Sequence, residues 1–417
     1  MTRIAVVGAG PSGVFTTAAL LGRPDVLVDV YDRSPTPFGL VRYGVAPDHL
    51  KIKSVTRVLS RTLSDPRVRF LGNVEIGKDV RLDTLRGRYA AVVVAVGAPG
   101  TRRLAIPGED LPGHVPAGDL VDWYNGRPGA RYRPAERRRV AVIGAGNVAL
   151  DIARILLRGG RGLSHTDVPE HVLRDLDARP THEVHMLVRR GPADTRFNPA
   201  ELAEFESLPD LDLRVDPAVL PTDDPGPSVA DRALAARLAI FRRWSCAPRG
   251  AGRSLTIRFH SPPAAFRGAG RVEAVALPGP TLLPVDLAVS AIGFRGRPLP
   301  GLPFDDATAT VPHEKGRVAP GLYVTGWIKR GPTGVIGANK ACAQETAETL
   351  LADVPPDDND DHDPAPTTGL RVVTWPGWLG IDRAETALGA THGRNRTTIH
   401  ELDRLVRIGT ATGDRLP

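Results

Sequence analysis

The chain has 417 residues, 41% hydrophobic and 24% charged, more than one core usually organises, so two domains are expected. It has no apolar run of eighteen residues, a strand-like "RIAVV" almost directly after Met1, and only two cysteines, Cys246 and Cys342, with no CxxC. A spanning helix, a signal peptide, a four-cysteine iron–sulfur cluster, a dithiol redox centre and a metal site are therefore not expected, and a reducing cytoplasmic setting is.

Net charge is +7, but six Asp and no Lys or Arg fall in residues 353–368, which leaves +13 on the other 401 residues. A basic body suits anionic partners. Nucleic acid is not expected among them, because no zinc finger, RNA-recognition signature or aromatic–basic platform occurs.

In chain order, "RIAVV" (3–7) predicts a buried strand and "PSGVFTTAALLGR" (11–23) a helix opened by Pro11. "VLVDVY" (26–31) and "AAVVVAVG" (90–97) are further strands, the latter continuously apolar as in a parallel sheet covered on both faces. "RVAVIGAGNVALDIARILLRGG" (139–160) repeats the opening pattern. Strands follow at "EVHMLVRR" (183–190), "LAVSAIG" (287–293) and "LYVTG" (322–326), with helix-like stretches at 200–207 and 229–243 between them. "SLTIRFHS" and "RVEAVAL" predict a small antiparallel pair, residues 353–368 an acidic linker, and 399–408 a weak helix. The alternation predicts an α/β fold with two Rossmann-like dinucleotide-binding domains on doubly wound sheets. Residues 1–100 plus 295–417 would form one domain and 101–294 the other.

The first glycine unit is Gly8-Ala9-Gly10-Pro11-Ser12-Gly13, a GxGxxG between strand and helix. Gly8 permits the tight turn, Gly10 lets a pyrophosphate approach the backbone, and Gly13 lets helix and strand pack closely. The helix N-terminus then faces the phosphates. Asp32, at the end of the second strand, can hold ribose hydroxyls; its plain alternative is a solvated strand-end acid. The second unit is Gly144-Ala145-Gly146-Asn147-Val148-Ala149, a GxGxxA, and its following strand ends in Arg189 and Arg190. An acid would repel a 2′-phosphate and a guanidinium pair would hold it. The first site should therefore take a dinucleotide without that phosphate, and the second NADP(H). Two such sites in one chain suit a two-domain flavin reductase with FAD in the first. After "LYVTG", Pro332 and Thr333 read as a helix start whose amides could face a flavin, with Gly334 and Gly337 leaving room; an ordinary helix start is the alternative.

Together, "VGAGPSGVFTTAAL", "PTPFGLVRYGVAPDHLKIKS", "RFLGNVEIG", "IPGEDLPG", "VIGAGNVALDIARILL", "LVRRGP", "GLPFDD" and "GWIKRGPTGVIG" resemble the adrenodoxin reductase family of ferredoxin–NADP(+) reductases, from residue 4 to about 350. The resemblance implies a glutathione-reductase-like arrangement of three-layer domains, with FAD and NADP(H) as cofactors. It also implies an acidic iron–sulfur ferredoxin as transient acceptor and, beyond it, a haem monooxygenase. It implies FAD contacts from Asp32, Leu40, Val74, Trp327 and the backbone at Gly334, Val335 and Ile336. It implies NADP contacts from Arg102, the Asn147–Val148 turn, Arg189, Arg190, Glu201 and Gly334. His49 and Glu204 fall where the family has a proton-handling pair; both also suit structural roles. Asp32 stands where many relatives have Glu, and residues 216–285 are shorter and richer in Pro and Arg than the family pattern. Arg232, Arg237, Arg242 and Arg243 are candidate docking charges, or simply a solvated basic face.

With no dithiol and no cluster of its own, electrons must leave to an outside acceptor. Two other classes stay open: an NADPH-dependent flavoprotein monooxygenase and a non-catalytic FAD- and NADP-binding protein. No long amphipathic or heptad helix calls for a partner copy, so a monomer is expected.

Overall fold

The computed structural model describes all residues except 223–227, 249, 251, 335, 357–366 and 412–417. The chain divides into two compact units, one of Met1–Gly100, Asn125–Gly129 and Phe294–Pro417, the other of Thr101–Tyr124 and Ala130–Gly293. Asn125–Gly129 thus joins the unit of the chain termini, whereas the sequence places it in the central domain.

The first unit is built on a six-stranded sheet in the order Arg317–Ala319, Leu322–Val324, Ala91–Val94, Thr2–Val7, Val26–Asp32, Val68–Gly72. All pairings are parallel except that of the edge strand Arg317–Ala319. Parallel neighbours need a crossover, and Pro11–Leu20 supplies the first one. Ala91–Val94 is apolar and buried at every position, and the neighbouring strands are apolar at most positions, because both faces are covered. Ile4, Val6, Val28, Val30 and Val93 pack with Val14, Leu20, Leu59, Leu63, Leu350 and Trp378. Ala5, Val7, Val92 and Val94 pack on the opposite face with Leu82, Leu85, Leu302 and Ile328.

The second unit holds an all-parallel six-stranded sheet in the order His114–Pro116, Leu287–Ser290, Arg139–Ile143, Glu183–Leu187, Arg253–Arg258, Leu211–Val215. Helices cover one face, where Val140, Val142, Val184 and Met186 meet Ile152, Leu156, Val172 and Phe241. The other face meets a three-stranded antiparallel sheet, Ala265–Arg267, Ala274–Ala276 and Leu282–Pro284, through Phe266, Val275 and Leu283. The expected antiparallel pairing of "SLTIRFHS" with "RVEAVAL" is therefore wrong. Arg253–Arg258 is a parallel strand of the main sheet, and Ala274–Ala276 is the middle strand of the small one. Both are short extended segments, and their strand partners tell them apart.

The C-terminal segment of the first unit forms helices Trp375–Ala390 and Leu402–Ala411, the latter close to the expected 399–408. It is fastened by a buried charge cluster. The fully buried Glu385 accepts from Arg42 at 2.5 Å, from Arg396 at 2.7 Å and from the Ile399 amide at 2.9 Å. Arg42 also lies near the rings of Tyr43 and Trp378, at 5.0 and 5.2 Å. Of the acidic linker, residues 357–366 lie outside the described residues; Asp353 ends helix Ile336–Asp353 and pairs with Arg317. Glu385→Ala would leave the buried Arg42 guanidinium without its carboxylate and Arg396 with Asp382 alone. It is expected to lower folding stability by about 3–5 kcal/mol, measured by urea unfolding; a change under ~1 kcal/mol would show that the cluster does not fasten the segment.

Candidate functional site

Each unit carries one glycine turn, and the two turns share a construction. In the first, the Gly8 amide donates to the Tyr31 carbonyl at 2.7 Å. In the second, the Gly144 amide donates to the Leu187 carbonyl at 3.1 Å. Gly8 has φ +115° and Gly144 φ +151°. A Cβ on Gly8 would come 2.5 Å from the Ala95 carbonyl oxygen, and one on Gly144 would overlap that of Ala291. Gly13 crosses so closely that a Cβ would overlap the Gly8 carbonyl. Gly10 and Gly146 are open: the nearest atom to a Cβ is 4.0 Å away at Gly10, and nothing lies within 4 Å at Gly146. Each precedes a helix, Pro11–Leu20 or Asn147–Gly162, without a side-chain cap. Both turns therefore present bare backbone and first-turn amides, which is what a pyrophosphate needs.

Around the first turn, Asp32 accepts from the Ala9 amide at 2.7 Å and the Ser34 amide at 2.8 Å. Loss of water holds its carboxyl above the ordinary value, against these two amides and the charges of Arg33 and Arg127, which favour the anion. Val74 is buried behind it, its amide on the Asp32 carbonyl at 2.9 Å. Leu40 opens the short helix Leu40–Tyr43, just after Phe38, whose amide donates to the Ala9 carbonyl at 2.9 Å. Ser12 donates to Asn339 at 3.0 Å, and Arg330 donates to the same oxygen at 2.8 Å. Trp327 follows Gly326 and stacks on Phe294, centroids 6.0 Å apart. Its Nε1 is buried with no hydrogen-bond partner among the described residues, an unsatisfied donor beside the first turn's helix partner. An open glycine backbone, an acid held at the end of the neighbouring strand and an unsatisfied indole donor together fit a flavin dinucleotide.

The helix expected from Thr333 begins instead at Ile336, after Gly334. Thr333 is held outside it by hydrogen bonds from Arg330. Val335 lies outside the described residues. His49 occupies the position just before the short helix Leu50–Lys53 in this unit, half-buried.

Around the second turn, parallel pairing places Ile143 against Leu187, so Val188 occupies the position that Asp32 holds in the first copy. Val188 is buried, and Arg189 and Arg190 follow it, both exposed. The arginines therefore stand one and two residues beyond the acid's position rather than on it. Arg190 reaches Asp194 at 3.4 Å, whereas the Arg189 side chain has no hydrogen bond or ion pair among the described residues. Residues Arg196–Glu201 fold over the turn. The Arg196 amide donates to Ala145 at 2.8 Å, the Asn198 amide to the Asn147 side chain at 2.8 Å, and Asn147 to Glu201 at 3.3 Å. Val148 is half-buried and Ala149 fully buried, taking the third glycine position. Arg102 is exposed and hydrogen-bonds the Gly293 carbonyl through its amide at 3.1 Å. Glu204 lies in this second unit, 3.3 Å from the buried Arg154, which also holds Asp151 at 2.7 Å.

Sequence reasoning missed Arg330, Asn339 and Phe38–Gly39 beside the first turn, and Asn198 and Arg196 beside the second. Only Asn198 left a readable signal: an Asn-Pro pair opening a helix, where its side chain accepts from the Ala200 amide.

Residues 2–199 match the family described as pyridine nucleotide-disulphide oxidoreductase. The chain is 41% identical to the NADPH-ferredoxin reductase FprA of Mycobacterium leprae, over 97% of this chain and 98% of that protein. The chain belongs to the adrenodoxin reductase-type ferredoxin–NADP(+) reductase family. The human mitochondrial NADPH:adrenodoxin oxidoreductase is 36% identical, covering 97% of this chain and 91% of its own. The structure of Mycobacterium tuberculosis FprA in complex with NADPH superposes with a TM-score of 0.93 at 40% identity, over 98% of this chain and 99% of that one. As a member of that family the chain is an oxidoreductase.

The two third positions give a test of the turn construction. Gly13→Ala should destabilise the protein by about 1–3 kcal/mol through overpacking, whereas Ala149→Gly should cost about 1 kcal/mol. Thermal unfolding of the two variants decides, and an innocuous Gly13→Ala would contradict the crossing described.

Proposed function

We propose that this chain takes electrons from NADPH onto FAD and passes them one at a time to an acidic iron–sulfur ferredoxin. Under this reading it works as a monomer in the cytoplasm, with a haem monooxygenase as the acceptor beyond the ferredoxin. FAD is assigned to Gly8, Gly10, Pro11, Ser12, Gly13, Asp32, Leu40, Val74, Trp327, Gly334, Val335 and Ile336. NADP(H) is assigned to Arg102, Gly144, Gly146, Asn147, Val148, Ala149, Arg189, Arg190 and Glu201, with Gly334 shared. The observation that supports this reading is the contrast between the two turns. One is closed by a carboxylate bound to its own backbone, the other is followed by two exposed cations, and each suits a different dinucleotide. When bound, FAD supplies the ability to accept a hydride and release single electrons. The protein's part is to hold, orient and charge-match. Asp32 holds a ribose, the capless helix starts face the pyrophosphates, and Trp327 offers its indole N–H. His49 is assigned to proton handling. Glu204 is assigned to the same task. No helix among the described residues is long and apolar enough to cross a membrane.

The purified protein should be yellow, bleach with NADPH and reduce ferricyanide, and should reduce cytochrome c only when a ferredoxin is added. A protein that consumes NADPH with oxygen and an organic substrate would be a monooxygenase instead, and one that does not bleach would be a binding protein. Arg189→Ala should raise the KM for NADPH roughly tenfold or more, through the loss of a charge-assisted contact worth about 1.5–3 kcal/mol, and leave that for NADH almost unchanged. Arg190→Ala should do less, because Arg190 also serves Asp194. Equal effects on both nucleotides would remove the 2′-phosphate assignment. His49→Ala and Glu204→Ala should slow flavin reduction and alter its pH profile in stopped-flow traces; unchanged traces would return both residues to structural roles.

A further inference from the structure

We propose that the acidic iron–sulfur partner docks on the surface formed by helices Leu50–Lys53 and Thr56–Leu63 of the first unit; the proposal rests on the reductase reading above. Seven large apolar side chains are exposed among the described residues, and three of them, Leu50 (46%), Ile52 (42%) and Val58 (53%), fall within nine consecutive positions. Between Asp48 and Asp65 the chain carries Lys51, Lys53, Arg57 and Arg61 and no carboxylate. Lys51, Arg57 and Arg61 are exposed, and their side chains have no hydrogen bond or ion pair among the described residues. A patch with an apolar centre and an unneutralised basic surround is the complement of an acidic protein surface, which it would steer in and then hold by desolvating the centre.

The position suits electron transfer. Thr56–Leu63 packs through Leu59 and Leu63 against the core that contains Val14 and Leu20 of Pro11–Leu20, the helix opened by the first glycine turn. The segment leading to the patch starts at Phe38, bonded to that same turn. Thr56–Leu63 thus shares a core with the helix that starts at the turn assigned to FAD. The arginines of helix Val229–Ser245 are less suited. Arg243 binds Glu206 at 2.8 Å, Arg242 donates to the Pro221 carbonyl at 3.1 Å, and Arg237 is half-buried. An anionic membrane could also attract a basic apolar patch. However, Leu59 and Leu63 are spent on the core, and helices of four and eight residues present too little apolar face to lie in an interface.

The experiment uses the FAD-loaded protein and a soluble acidic [2Fe–2S] ferredoxin as probe, with binding measured by calorimetry and turnover by ferredoxin-dependent cytochrome c reduction. The triple variant Lys51→Glu, Arg57→Glu, Arg61→Glu should raise both Kd and KM for ferredoxin at least tenfold and flatten the salt dependence, with NADPH–ferricyanide turnover unchanged. Leu50→Ser with Val58→Ser should raise Kd about fivefold or more while keeping the wild-type salt dependence. The unchanged ferricyanide rate shows that each variant is folded and flavin-loaded. If either variant fails that check, the neutral pair Arg57→Gln, Arg61→Gln replaces it, with a threefold or larger rise in Kd expected. Ferredoxin affinity unchanged in the variants would overturn the proposal. So would wild-type binding to phosphatidylserine vesicles that the triple variant loses while ferredoxin binding stays the same. A wild-type protein that NADPH does not bleach would overturn the reductase reading itself, which the calorimetric arm does not depend on.

Discussion

Between Gly8 and Gly13 the chain leaves a strand, turns and enters a helix through a space with no room for a methyl group. The crossing sets the helix against the sheet, and the helix direction decides where its unpaired amides point. The same construction recurs at Gly144, where the carbonyl of Ala291 fills the space a side chain would need. What each site can bind is then decided by what stands at the end of the neighbouring strand. In the first copy Asp32 is drawn into the turn by the Ala9 amide, so it braces the turn. In the second copy the buried Val188 leaves the turn unbraced from that side, and Arg196–Glu201 folds over it instead, through Asn147. The charge that distinguishes the copies is thus accompanied by a difference in how each turn is supported.

The features legible in the sequence were those carried by neighbours along the chain. The glycine spacing, the helix starts and the acid or arginines after the next strand are all local, and the continuously apolar run at 90–97 announces a sheet covered on both faces. Features set by pairing at long range were not legible. Arg253–Arg258 and Ala274–Ala276 both read as short strands, yet one is a parallel strand of the main sheet and the other belongs to the small antiparallel one. The one-residue offset of Arg189 from the position of Asp32 is visible only once Ile143 is set against Leu187. Arg330 and Asn339 meet Ser12 from the far end of the chain, and nothing in their own neighbourhood marks them.

Arginine dominates the basic residues, and the structure uses its planar fork inside as well as outside. Arg42, Arg137 and Arg154 are almost entirely removed from water, and each is paired with a carboxylate: Glu385, Asp175, and Asp151 with Glu204. A buried guanidinium without such a partner would be severely destabilising, so these pairs are constraints on the fold rather than additions to it. For Glu204 this has a chemical side. A carboxylate gripped by a buried cation keeps its direction, and Arg154 rises from the very helix that starts at the second glycine turn. The orientation of Glu204 is thereby coupled to the placement of that helix.

The sheet of the first unit places Ala91–Val94 directly beside Leu322–Val324, yet the whole of the second unit lies between them in the chain. On the ribosome the N-terminal strands emerge first but wait for their partner until the entire insert has been made. The second unit is almost continuous in sequence and can close its own sheet meanwhile. Synthesis order and completion order are therefore opposed. The half-finished first unit must spend that interval with the edge of Ala91–Val94 open, in a state where a chaperone, or early capture of a flavin by the Gly8 turn, has the most to contribute.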